Sequence, residues 1–196
     1  MKKNIIVLIL ITLFWFGIAF FSKAMFSGFH LIDDHQIVAI HSDIQKYGLT
    51  EGFKKWVLPE VFQRLKPIRM THKVLGTYFF GINYTAWSIQ TVLAGVITSF
   101  MLYLFGLKIN FSRKEALLFV FLALAGVQSL VWFHLGYDEM LGMLFLSFSL
   151  FYMAKSVYER KKLYDVLFII FAFLSSFSKE SFVLILPVLI FWKNYL

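Results

Sequence analysis

Six apolar runs divide the chain, at about 4–22, 84–106, 115–134, 139–155, 163–178 and 181–195. Each is nearly free of internal charge, as hydrocarbon requires. A membrane helix needs about 20 mainly apolar residues. The pattern therefore predicts an all-α protein: a polytopic transmembrane helix bundle of about six spans in one domain, 1–196. The runs are closely spaced except for the first two, which are separated by residues 23–83.

Within 23–83 the polar and apolar positions predict short helices. One covers 34–47 and others cover 59–66 and 68–81, with Pro59 and Pro67 suited to helix starts. They would lie in the membrane interface or enter it. On the last helix Arg69, His72 and Lys73 share a face by i, i+3, i+4 spacing, with Gly76 near it.

Composition strengthens the membrane reading. The 196 residues are 60% hydrophobic and 15% charged, with 25 Phe. A soluble domain of this size needs more polar surface. The absence of cysteine excludes disulfides and thiolate zinc sites. A net charge of +8 would suggest nucleic acid for a soluble protein, but here most basic residues lie between apolar runs, and no nucleic acid is implied.

Lys and Arg in short loops set orientation. Lys2 and Lys3, then Lys108, Arg113 and Lys114, then Lys155, Arg160, Lys161 and Lys162 fall on one side if every run crosses. The N-terminus is therefore expected in the cytoplasm of a cell-membrane protein. Residues 23–83 and the turns near Asp138 and Glu180 are expected outside. The first run could be a signal peptide cleaved near Ser22-Lys23-Ala24, but its length favours an uncleaved anchor. The 23–83 segment carries eight Lys/Arg against the rule, and an anionic ligand or lipid headgroup is the simplest reason.

The candidate chemistry gathers on that outer side. HLIDDHQIV, residues 30–38, places Asp33 and Asp34 side by side. Adjacent helical residues diverge by about 100°, so the two acids cannot do one job symmetrically. A partly desolvated carboxylate can act as a general base; its ordinary alternative is a solvated helix cap. Arg64, Lys66, Arg69 and Lys73 suit a lipid phosphate, by forked and point-charge contacts, or bind anionic lipid without specificity. In LGYDEMLG, Asp138 and Glu139 line the same side or complement a helix dipole. In SSFSKESFVLILP, Lys179 and Glu180 form a second charged turn. Asp33, Asp34, His35, Asp138 and Glu139 have the donor types for a divalent metal, but their spacing is not diagnostic and the metal is left unknown.

Taken in order, these segments resemble the N-terminal portion of the GT-C superfamily of integral-membrane glycosyltransferases, of the protein O-mannosyltransferase-like and aminoarabinose-transferase-like groups. RLKPIRMTHKVLGTYFFGIN is similar to an R-x-x-P…FG-x-N segment of bacterial members. SKESFVLILP is similar to their SKE-S…LP segment, and VWFHLGYDEMLGMLFLSFSLFYMA to the short turn before the fourth span. The resemblance implies transfer of a sugar from a polyprenyl-phosphate donor lipid to a glycan, lipid or protein hydroxyl outside the cell. An acid of the first outer loop would be the base: Asp33 first, Asp34 second. Arg64, Lys66, Arg69 and Lys73 would hold the donor phosphate, and His35, Asp138, Glu139, Lys179 and Glu180 would line the cavity. Family members usually have more spans and often a soluble C-terminal domain, so a partial chain is expected. The rival reading is a non-enzymatic membrane protein: a lipid-linked-sugar flippase, a transporter or an assembly subunit. A transporter should place ionisable groups near the bilayer midplane; here nearly all lie at run ends.

Overall fold

The structure is a computed structural model that describes residues 2–29, 34–63, 66–124 and 139–195. All regular structure among them is helical. Among the described residues, three helices are long and apolar enough to cross a membrane: α1 (Lys2–Phe21), α6 (Tyr84–Lys108) and α8 (Glu139–Glu159). At 1.5 Å per residue they span about 30, 37 and 31 Å, against about 30 Å of hydrocarbon. Between α1 and α6 lie α2 (His35–Tyr47), α3 (Leu49–Trp56), α4 (Leu58–Gln63) and α5 (Pro67–Phe80). The chain continues with α7 (Arg113–Leu124), α9 (Lys162–Ser176), a 3-10 turn (Glu180–Leu184) and α10 (Ile185–Tyr195). The third apolar run is thus helical as far as 124, and its remainder lies outside the described residues. The last two runs form α9, of 15 residues, and α10, of 11. Pro187 falls in the first turn of α10, where its missing N–H is not needed, so α10 restarts after the 3-10 turn.

Helix α6 is the hub and packs against α1, α7 and α8, while α8 packs on α9. On α1 the buried residues Val7, Ile11, Trp15 and Ala19 recur every fourth position and face α6. The other faces expose Ile5, Ile6, Ile9, Leu10, Leu13 and Phe14, a patch far larger than water tolerates and ordinary against lipid. The buried face of α6 is rich in small residues, among them Thr91, Ala94, Gly95, Thr98 and Ser99, which let helices approach closely. Ser149 Oγ on α8 donates to the Phe168 carbonyl (3.2 Å), and Ser175 Oγ on α9 to the Gly142 carbonyl (2.8 Å).

Helices α2 to α5 form a second packed unit. Ile40, Val57, Met70 and Val74 are buried together, with Ile44, Leu49, Phe53 and Trp56 around them. Helix α3 is not apparent from the sequence, because LTEGFKKW is short and has glycine at its centre. Tertiary packing supplies what propensity lacks: Gly52 sits against Ile44, and Phe53 and Trp56 close the small core. The left-handed Gly48 (φ 84°) makes the turn between α2 and α3, a conformation that favours glycine.

Trp87 joins the two units. This α6 residue is fully buried, packs with Ile37 of α2, and donates from Nε1 to the Gly81 carbonyl (3.1 Å). Its ring lies so close to Gly76 of α5 that a methyl group there would overlap it.

Candidate functional site

Asp34 precedes α2 and is fully buried. It sits at the cap position, but its side chain makes no cap hydrogen bond to the helix. The ordinary capping role is therefore not the one it performs. Two residues on, Gln36 Oε1 accepts from both Lys73 Nζ (2.7 Å) and Arg69 Nη2 (3.2 Å). Arg69 and Lys73 lie one turn apart on α5, which is why one amide oxygen serves both. Pro67 at the first position of α5 sets where that helix begins, and so where both cations point. Lys73 is only 2% exposed and Arg69 7%. Burying such groups costs several kcal/mol each unless polar partners compensate, on the order found for buried ions generally.

Sequence spacing groups His72 with those cations, but the structure divides the face. His72 turns to α6, where its Nε2 is hydrogen-bonded to the Gln90 side chain and its ring meets Trp87 edge-on. Burial, then the neighbouring Lys73 charge, pushes its pKa down to about 4. It is a neutral packing residue of the α5–α6 contact. His35 is exposed at the start of α2.

Lys66, just before α5, is buried and pairs with Glu180 Oε2 at 2.5 Å. Lys179 pairs with Glu139 in the first turn of α8. The two charged turns read from the sequence thus meet at one end of the helices, where α5, α8 and the 3-10 turn come together. Another set closes the opposite end: Lys108 and Lys155 both approach Glu159 (2.8 and 3.8 Å), and Lys193 pairs with Asp165. In the membrane-length helices α1, α6 and α8 the ionisable groups therefore collect towards the ends rather than in the middle.

Asp33, Arg64 and Asp138 lie outside the described residues. Among the described residues no group of three or more metal-ligating side chains forms, so Asp34, His35 and Glu139 do not gather as a metal centre there. Gln36, Gln90 and Trp87 are the residues that sequence reasoning missed. Neutral amides carry no charge signal, and their roles depend on which helix lies opposite.

Chemically, the arrangement offers two buried cations held in fixed geometry and a buried carboxylate at the start of the same helix that holds them. Fixed cations of this kind stabilise developing phosphate charge without reorganising. The chain matches no family model, no curated protein and no solved structure.

Proposed function

We propose that this protein is a membrane glycosyltransferase of the GT-C type, moving a sugar from a polyprenyl-phosphate donor to an acceptor hydroxyl on the extracytoplasmic side. The carrying observation is the convergence of buried Arg69 and Lys73 on the first turn of α2, directly after the Asp33-Asp34 pair. In this reading Asp33 takes the acceptor proton, with Asp34 as the second choice. The acceptor oxygen attacks the anomeric carbon, and the lipid phosphate leaves with inversion. Arg64, Lys66, Arg69 and Lys73 neutralise the leaving charge. His35, Asp138, Glu139, Lys179 and Glu180 line the cavity.

The same reading has six spans, one for each apolar run of the sequence, with α9 and α10 in the last two. The N-terminus is cytoplasmic and 23–83 lies outside. The apolar exposure of α1 and the placement of ion pairs at helix ends support it.

The decisive test is sugar transfer by the purified chain in vesicles supplied with a polyprenyl-phosphate sugar. Asp33→Asn should abolish transfer with expression unchanged; normal transfer by the variant removes Asp33 from the mechanism. The pairing of Lys66 with Glu180 and of Lys179 with Glu139 favours one second reading, a non-enzymatic flippase, transporter or assembly subunit in which these residues only clamp helices. Absence of both transfer and saturable donor binding would favour it.

A further inference from the structure

Lys66 and Glu180 are unequal partners. The Lys66 side chain is 8% exposed, whereas that of Glu180 is 57% exposed. The lysine is walled in; the carboxylate reaches it from the solvent side. Glu180 begins a short, five-residue 3-10 segment, and the residue before it, Lys179, is anchored separately on Glu139. Glu180 can therefore swing away by side-chain rotation without moving the turn. Lys66 is the cap residue that leads into α5, three and seven positions before Arg69 and Lys73 in the chain.

Resting on the phosphate-site reading above, we infer that Glu180 is a resident carboxylate of that site: it occupies Lys66 when the site is empty and is displaced by the phosphate headgroup of a polyprenyl lipid. A carboxylate and a phosphate oxygen make the same charge-assisted contact with an ammonium group, so they compete for it. The competition also helps turnover. A sugar-linked phosphodiester carries one negative charge, but the lipid released by transfer is a monoester of about −1.5 to −2 near neutral pH. The more strongly charged product would be slow to leave three cations. Glu180 returning to Lys66 opposes that retention.

The test is binding of a polyprenyl phosphate to the full chain in detergent micelles, with inorganic phosphate as a parallel ligand to separate headgroup from lipid. Glu180→Gln should tighten polyprenyl-phosphate binding by about tenfold, the size of one lost competing contact. Glu180→Asp, which keeps the charge but shortens the reach, should fall between. In a Lys66→Met background Glu180→Gln should change nothing. A purely clamping Glu180 would lower the melting temperature on substitution and leave affinity unaltered. That result overturns the inference and leaves the phosphate site standing. Failure of the wild type and Glu180→Gln alike to bind either ligand saturably overturns both.

Discussion

Trp15 of α1 donates its indole N–H to Ser99 Oγ of α6 at 2.8 Å, and its ring lies over Gly95 one turn away. The contact makes the first apolar helix part of the bundle. Gly95→Leu should push the Trp15 ring off α6 at a cost of about 1–3 kcal/mol, as overpacking does elsewhere. Ser99→Ala should cost only about 0.6 kcal/mol, the typical worth of a hydrogen bond between membrane helices. Thermal unfolding in detergent measures both, and equal losses would contradict the steric account.

Gln36 gives a sharper contrast. Gln36→Leu removes an acceptor shared by Arg69 and Lys73 and should cost about 2 kcal/mol, in line with hydrogen bonds to charged groups. Gln36→Glu should keep stability, because the new carboxylate satisfies both cations. If those cations hold a phosphate, the same variant should weaken polyprenyl-phosphate binding by competing for them. Equal affinity in Gln36→Glu and wild type would return Arg69 and Lys73 to a structural role.

Arg69→Ala should weaken donor-lipid binding beyond any loss of stability. Binding isotherms on protein shown to be folded by its melting temperature check this. Unchanged affinity would leave only generic attraction to anionic lipid.

Helix α5 should detach from α6 when Gly76 is enlarged. Gly76→Val places carbon where the Trp87 ring lies. The expected loss is about 1–3 kcal/mol, read as faster protease cleavage between α4 and α6 than in wild type. Unaltered cleavage would mean the Trp87 ring has room to move.

His72 predicts a pH effect whose sign follows from burial. Its pKa falls from an ordinary 6.5 to about 4. The unfolded chain therefore takes up a proton before the folded chain does, and stability is lost as pH falls from about 6.5 towards 4. Above 6.5 this residue contributes no slope. His72→Gln should flatten the melting temperature over that window, and an unchanged slope would assign the effect to other groups.

The apolar runs alone determine that this is a helical protein with membrane-length segments, because a lipid-facing helix must be apolar on nearly every face and no packing partner changes that. The helices at His35–Tyr47 and Pro67–Phe80 were legible to within one residue, whereas the one expected over 59–66 is helical over Leu58–Gln63, with Lys66 outside it. The candidate acids and cations were legible as types, since charge beside hydrocarbon is conspicuous. Their partners were not. Helix α3 exists because Phe53 and Trp56 find a small core, which no local signal in LTEGFKKW encodes. The division of Arg69 and Lys73 towards Gln36, and of His72 towards Gln90, was decided by α2 and α6 lying on different sides of α5. The pairing of Lys66 with Glu180 spans more than a hundred residues and depends on where the turn after α9 comes to rest. Composition limits what a segment can bury, whereas the identity of a buried charge's partner is a fact of three-dimensional packing.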